Sequence, residues 1–76
     1  MAAVPFPHMS DDASAKGVVS TWFVEPGEQV GPETLIAEVA VDKVDMEVYP
    51  PAAGTITLLV PEGEEVSQGT PIARVE

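Results

Sequence analysis

Lys43 is the residue of this 76-residue chain whose type and position are most suited to chemistry. The chain has only three lysines and arginines against 13 aspartates and glutamates, so a lysine near its midpoint stands out. It follows Asp42 in an Asp-Lys-Val tripeptide, between two similar stretches of sequence. The ε-amine of lysine is a common target of covalent modification. A modified lysine here would make the protein a carrier rather than a catalyst.

The ordinary interpretation of Lys43 is a solvated turn lysine. Its position between two predicted strands argues for a functional role instead. Asp42 and Lys43 separate two predicted strands, 35–41 and 44–49, as a two-residue hairpin loop. Such loops favour positive φ angles, which aspartate tolerates and lysine adopts less readily. We therefore predict that the turn gives up backbone preference at Lys43 to place a long amine at an accessible tip.

Two related half-repeats, 17–39 and 54–75, organise the chain. A shift of 36 residues aligns eight pairs: Val24 with Val60, Gly27 with Gly63, Glu28 with Glu64, Val30 with Val66, Thr34 with Thr70, Ile36 with Ile72, Ala37 with Ala73 and Val39 with Val75. The opening glycines, Gly17 and Gly54, are 37 residues apart, so the first half holds one extra residue. A β-bulge or a longer turn would absorb it. Two copies predict two half-domains related by a pseudo-two-fold axis.

Each half-repeat has the sequence pattern of short strands. Runs rich in β-branched and aromatic residues, bounded by Pro and Gly, predict strands over 18–24, 29–30, 35–41, 44–49, 55–60 and 65–66, with a final strand ending at 74–76. Eight prolines and six glycines leave no room for a long helix. The predicted fold class is therefore an all-β sandwich or barrel.

Period-two alternation predicts which side chains of these strands share a face. The apolar face of 35–41 should carry Leu35, Ala37, Val39 and Val41, and that of 44–49 should carry Val44, Met46 and Val48. Asp45, Glu47 and Tyr49 lie on the opposite face. We expect Trp22 and Phe23 to belong to the core.

Composition limits the classes of function. The chain, 1–76, is expected to form a single domain near the lower size limit for one core. It has no cysteine, which excludes disulfides and thiolate metal sites. A net charge of −10 argues against nucleic acid and anionic membranes and suits a basic partner surface. No targeting segment is recognised, so we expect the cytoplasm in preference to the mitochondrial matrix.

The hairpin segment resembles a known attachment site. Residues 38–48, followed by Pro-Pro-Ala-Ala-Gly, are similar to the lipoyl-attachment segment of lipoyl domains. The Pro-Gly-Glu-Gln-Val run at 26–30, the Glu-Gly-Glu-Glu-Val run at 62–66 and Val-Pro-Phe-Pro at 4–7 match the same family. The resemblance covers nearly the whole chain. An Asp-Lys pair centred between two Gly-Glu-x-Val turns, with Pro-x-Ala-Gly after it, is a specific motif.

The resemblance implies a flattened β-barrel or sandwich of two four-stranded antiparallel sheets with quasi-two-fold symmetry. It implies lipoate in amide linkage to Lys43, which would carry an acyl group as a thioester and electrons as a dithiol between active sites. The Asp-Lys-Val-Asp run is most similar to the dihydrolipoamide acyltransferases of 2-oxo acid dehydrogenase complexes. The chain would then be a carrier domain and not itself an enzyme, either free-standing or part of a longer acyltransferase.

The partners that the resemblance implies are those of such a complex. They are a lipoate ligase or another lipoyl-attaching enzyme, a thiamine-diphosphate-dependent 2-oxo acid decarboxylase, an acyltransferase core and dihydrolipoyl dehydrogenase. We expect no nucleic acid and no membrane, and a domain that is monomeric by itself. The sequence does not name the acyl group, because such a domain carries the acyl group that its partner loads.

The acids around Lys43 have two interpretations. In the lipoyl interpretation Asp42, Val44, Asp45 and Glu47 help the attaching enzyme to distinguish this lysine, with Asp42 the first candidate. The three acids could instead be metal ligands, but Asp45 and Glu47 are better explained as a solvated strand face. We predict no metal site.

The polar loop over 10–16 is expected to be mobile. In lipoyl domains this loop lies beside the hairpin and helps the decarboxylase to recognise the domain. The resemblance implies the same recognition role for Ser10, Asp11 and Asp12, but only weakly, because the loop sequence is not distinctive. His8, the single histidine, has no partners for a catalytic triad and is expected at the surface.

Related carriers and a plain module are the alternatives. Biotin carrier domains share the fold and the hairpin lysine, but their lysine lies between two methionines, whereas Lys43 lies between Asp42 and Val44. The glycine-cleavage carrier is longer and has a different attachment sequence. An unmodified β-sandwich interaction module is the alternative of a different class.

Overall fold

Eight short strands, joined by turns and loops, form the described part of the chain. A computed structural model describes residues 2–12 and 14–76. The strands are β1 (Ala2–Pro5), β2 (Lys16–Trp22), β3 (Gln29–Val30), β4 (Ala37–Val41), β5 (Val44–Val48), β6 (Gly54–Leu58), β7 (Glu65–Ser67) and β8 (Pro71–Val75). Within these residues, no helix is long and apolar enough to cross a membrane.

The strands form two antiparallel four-stranded sheets. One sheet has the order β1-β8-β6-β3 and the other β5-β4-β2-β7. Each sheet is short, so its apolar face must pack on the other sheet to be buried. This arrangement confirms the predicted all-β fold of two four-stranded sheets.

The two sheets are related to one another by the internal repeat. Replacing β1, β8, β6 and β3 by β5, β4, β2 and β7 converts the order of the first sheet into that of the second. The turn glycines Gly27 and Gly63, which are equivalent in the two halves, have φ angles of 88° and 83°. The repeat read from the sequence therefore corresponds to a quasi-two-fold relation between the halves.

The extra residue of the first half lies in a β-bulge. The register of β2 against β4 shifts between Val19, opposite Val39, and Thr21, opposite Glu38. The equivalent pairing of β6 with β8 runs without a shift. A bulge at Ser20 thus absorbs the additional residue, which decides between the two alternatives left by the sequence, a bulge or a longer turn.

The core is built from equivalent positions of the two halves. The repeat pairs that are buried in both halves are Val30 with Val66, Ile36 with Ile72, Ala37 with Ala73 and Val39 with Val75. Val24 is buried, whereas its equivalent Val60 packs partly buried against the same cluster. The strand period of two places Ala37 with Val39 and Ala73 with Val75 between the sheets. The preceding residues, Ile36 and Ile72, are fully buried as well.

Two expectations about side chains need correction, those for Phe23 and Leu35. Phe23 is 52% exposed, because after the bulge Trp22 and Val24 point toward the core and Phe23 points away from it. Trp22 does pack against the core, and its indole Nε1 donates a hydrogen bond to the carbonyl oxygen of Val60 at 3.0 Å. Leu35 lies outside β4 and is half-buried, while its neighbour Ile36 is fully buried.

The sequence pattern did not predict β1. The sequence analysis assigned no strand before residue 18, and β1 ends at Pro5. Because β1 is the edge strand of its sheet and pairs only with β8, proline is tolerated there.

Candidate lysine attachment site

Lys43 lies at the tip of the β4–β5 hairpin, as predicted. Val41 pairs with Val44, which leaves Asp42 and Lys43 as the two residues of the turn. Asp42 has a φ of 54° and is the only non-glycine residue with positive φ in the described part of the chain. The expectation that lysine bears the unfavourable backbone angle is therefore wrong. Aspartate takes that position, and Lys43 keeps an ordinary backbone.

The residues around the tip are open to solvent. Asp42, Lys43, Val44, Asp45 and Glu47 are all exposed. The strand β5 forms an edge of its sheet and has a neighbour on one side only, β4. The hairpin is therefore accessible at its tip and along the free edge of β5.

Val44, Met46 and Val48 share one face of β5, as predicted, but only one of them is buried. Val44, Met46 and Val48 lie opposite Val41, Val39 and Ala37, which are buried. Val48 is buried, whereas Val44 is 56% and Met46 42% exposed. Val44 and Met46, the two residues nearest the tip, are exposed because β5 is an edge strand, which leaves their side chains uncovered.

The other face of β5 is acidic. Glu47 lies opposite Glu38 across the ladder, and Asp45 lies opposite Ala40. The Tyr49 hydroxyl donates to Oε1 of Glu47 at 3.3 Å, and the negative charge of Glu47 raises the pKa of Tyr49. The solvated strand face predicted for Asp45 and Glu47 is confirmed. Among residues 2–12 and 14–76, no three acids or histidines are grouped so as to hold a metal ion.

The loop before β2 lies beside the hairpin. Gly17 pairs with Val41, so the start of β2 adjoins the end of β4. On its other side Lys16 pairs with Ser67, the last residue of β7. The β1–β2 loop, the hairpin tip and the turn after β7 therefore lie next to one another at one end of this sheet.

The predicted recognition residues of that loop are exposed or half-buried. Asp11 and Asp12 are exposed and Ser10 is half-buried, while Ala13 lies outside the described residues. Oδ1 of Asp12 accepts hydrogen bonds from the Ser14 hydroxyl at 2.6 Å and the Ser14 amide at 2.9 Å. These bonds lower the pKa of Asp12. The expected mobility of the loop stays a prediction, and its hydrogen bonds argue against it.

Gln68 is the loop contact that the sequence analysis missed. Its side chain is half-buried and hydrogen-bonds to the backbone of the β1–β2 loop, which is 53 to 59 residues away in the sequence. A glutamine between Ser67 and Gly69 looks like an ordinary turn residue. No local pattern predicts this contact, because its partners come together only through the sheet register.

A shallow cavity of about 340 Å³ lies between β1 and β5. Its walls include Val4 and Pro5 on one side and Met46, Val48 and Tyr49 on the other. Lys43 does not line it. Lys43 therefore lies at an exposed tip and not in this cavity.

Comparison with known proteins agrees with this geometry. Residues 2–75 match the model of the biotin and lipoyl family described as "Biotin-requiring enzyme". The lipoamide acyltransferase component of a branched-chain alpha-keto acid dehydrogenase complex from Bacillus subtilis is 41% identical over 66 residues, 86% of this chain and 16% of the relative. The succinyltransferase component of the Azotobacter vinelandii 2-oxoglutarate dehydrogenase complex is 42% identical over 59 residues, 76% of this chain and 15% of the relative.

A solved structure shows the same fold. The lipoyl domain of the 2-oxoglutarate dehydrogenase complex from Azotobacter vinelandii has a TM-score of 0.79 and 33% identity, covering 99% of this chain and 96% of that one. The chain thus spans nearly all of an isolated lipoyl domain but only about a sixth of the curated acyltransferases. The two sheets, the hairpin lysine and the match over residues 2–75 together show that this chain belongs to the biotin and lipoyl family, as a lipoyl domain.

Proposed function

We propose that Lys43 is the lipoylated residue of this domain and that the loaded domain carries acyl groups within a 2-oxo acid dehydrogenase complex. The observation that carries the proposal is the position of Lys43, exposed at the tip of the hairpin in a lipoyl-domain fold. When attached, lipoate supplies a disulfide that accepts an acyl group and electrons. The domain supplies the tether, which raises the effective concentration of that group at each partner.

Lys16 is the natural competitor for attachment, and its setting differs from that of Lys43. Both lysines are exposed and lie at the same end of the sheet. Lys16 belongs to β2, which has β4 on one side and β7 on the other, whereas Lys43 lies in a turn. An enzyme can enclose a protruding turn more readily than the side chain of an interior strand. We therefore assign attachment to Lys43. The neighbouring residues that the attaching enzyme would recognise are Asp42, Val44, Asp45 and Glu47.

Biotin is the competing cofactor, because the matching family includes carriers of both kinds. The residues beside the lysine favour lipoate, since Asp42 and Val44 stand where biotin carriers have methionines. Met46 does not substitute for them, because it lies three residues from Lys43 and pairs with Val39 inside the ladder.

Intact-mass measurement separates these possibilities. The chain is co-expressed with lipoate ligase and, separately, with biotin ligase, as wild type and as Lys43→Arg and Lys16→Arg. We expect a single lipoate adduct on wild type and Lys16→Arg, and none on Lys43→Arg. A biotin adduct on wild type, or a lipoate adduct that survives Lys43→Arg, would reject the assignment.

The parent protein and its complex are part of the proposal. Relatives in this comparison belong to branched-chain, 2-oxoglutarate, pyruvate and acetoin systems, so similarity does not select the acyl group. We propose a dihydrolipoamide acyltransferase as the parent. Its partners would be a thiamine-diphosphate-dependent decarboxylase and dihydrolipoyl dehydrogenase.

Reductive acylation of the lipoylated domain by decarboxylases specific for pyruvate, 2-oxoglutarate and branched-chain 2-oxo acids would identify the complex. Size-exclusion chromatography would test the expected monomer.

A further inference from the structure

The side chain of Gln68 joins the turn after β7 to the β1–β2 loop through four hydrogen bonds. Its Oε1 accepts from the amides of Met9 at 2.6 Å and Ser10 at 2.8 Å. Its Nε2 donates to the carbonyl oxygens of Asp12 and Ala15, each at 3.2 Å. A carboxamide has two donor hydrogens and two acceptor lone pairs, so its hydrogen-bonding capacity is fully used here.

Backbone contacts fix the adjoining part of the same loop to the same turn. The amide of Gly69 donates to the carbonyl oxygen of Phe6, and the amide of Phe6 donates to that of Thr70, both at 2.8 Å. The His8 imidazole covers Gly69, where an added Cβ would lie 3.0 Å from Nε2. The bonds of Gln68 extend this attachment from Phe6 onward into the polar part of the loop.

We infer that Gln68 is a positioning residue that holds the β1–β2 loop in one conformation beside the Lys43 hairpin. This inference rests on the proposed function, in which a decarboxylase meets the lysine arm and the loop together. The register places the loop, the turn and the hairpin side by side, since Lys16 adjoins Ser67 and Gly17 adjoins Val41.

A loop that is already ordered in the free domain loses less conformational entropy when it binds a partner. A loop freed from Gln68 would sample many conformations and would have to be ordered at the partner surface. The side-chain hydrogen bonds of Gln68 all go to the β1–β2 loop and none to Lys43, so its loss should weaken recognition without altering the chemistry.

The first test measures the loop directly. In Gln68→Ala, the amides of Met9 and Ser10 lose their acceptor, so we expect them to exchange hydrogen about tenfold faster or more by NMR. The matched control is Gln29→Ala, which alters the chain's other glutamine, an exposed residue of β3 in the opposite sheet. It should leave both amides unchanged.

The second test measures recognition on the lipoylated domain. With the decarboxylase that acylates wild type, we expect Gln68→Ala to raise KM for the domain about three- to tenfold, the effect of losing net hydrogen-bond stabilisation of the loop. The kcat and the extent of lipoylation of Lys43 should stay at the wild-type values. Gln68→Glu keeps an acceptor for Met9 and Ser10 but loses the donors, so both readouts should lie between wild type and Gln68→Ala.

Each result decides a separate point. Unchanged exchange of Met9 and Ser10 in Gln68→Ala would show that Gln68 does not hold the loop. Faster exchange with an unchanged KM would show that loop order does not serve recognition.

If Gln68→Ala does not fold, Gln68→Glu is judged by the same two readouts. If wild type itself is acylated by no decarboxylase, the proposed function fails and the role in recognition fails with it, while the exchange rates still decide whether Gln68 holds the loop.

Discussion

The ring of Phe6 packs directly against the backbone of Gly17 at the point where β2 begins. A Cβ at Gly17 would collide with the ring and would lie 2.7 Å from the carbonyl oxygen of Ala40. Phe6 is fully buried, so the ring has little freedom to move aside. The contact joins the segment after β1 to the sheet that carries the Lys43 hairpin.

Gly17→Ala should therefore destabilise the domain through overpacking. We expect a loss of about 1–3 kcal/mol in the free energy of unfolding, measured by denaturant titration. Gly31→Ala is the matched control, since no atom lies within 4 Å of a Cβ built there. That change should stay within about 1 kcal/mol of wild type, with either sign. Equal effects at the two glycines would contradict the packing argument.

Asp42 adopts the positive φ of the turn and also carries a negative charge beside Lys43. Three substitutions separate the effect of the backbone conformation from that of the charge. Because Asp42 has a φ of 54°, Asp42→Ala should cost about 1 kcal/mol, whereas Asp42→Gly and Asp42→Asn should be nearly neutral. If the carboxylate guides the attaching enzyme, Asp42→Asn should slow lipoylation several-fold at unchanged stability. Lipoylation rates measured by intact mass, beside unfolding curves, check both. An attachment rate that follows stability alone would reject a role for the charge.

The quasi-two-fold relation predicts matched effects at equivalent core positions. Ile36 and Ile72 are both fully buried and occupy equivalent places in the two halves. Ile36→Val and Ile72→Val should each cost about 0.5–1.5 kcal/mol and should agree with one another within that range. Thermal or denaturant unfolding of both variants gives the comparison. A large cost at one site with none at the other would show that the two halves pack differently.

The titration of Tyr49 should respond to Glu47. Since the charge of Glu47 raises the pKa of Tyr49, Glu47→Gln should lower it toward the ordinary value of about 10. The pKa is raised in the folded state, so this contribution to stability is present below the unfolded pKa and is lost as pH rises through the folded one. Tyr49 is the chain's single tyrosine, so tyrosinate absorbance reports it alone. Asp45→Asn, on the same face, should leave the titration unchanged.

Local patterns predicted the part of the fold in which burial follows the strand period. The alternation placed Ala37, Val39 and Val41 on one face, and all three are buried. The same period failed at Phe23, because one residue inserted in β2 reverses which side chains face inward. The period gave the face that Val44 and Met46 share but not their exposure, which depends on whether a further strand covers the edge.

The sequence by itself determined the all-β class, the internal repeat and the hairpin that presents Lys43. Each of these follows from residue types and from their spacing along the chain. Only the tertiary structure decided that Asp42 rather than Lys43 bears the positive φ, and that Gln68 holds the loop beside the lysine. The β1–β2 loop and the turn after β7 are more than 50 residues apart in the chain, and they meet because Lys16 pairs with Ser67. Contacts of that kind depend on strand register, which is fixed by the packing of the whole domain.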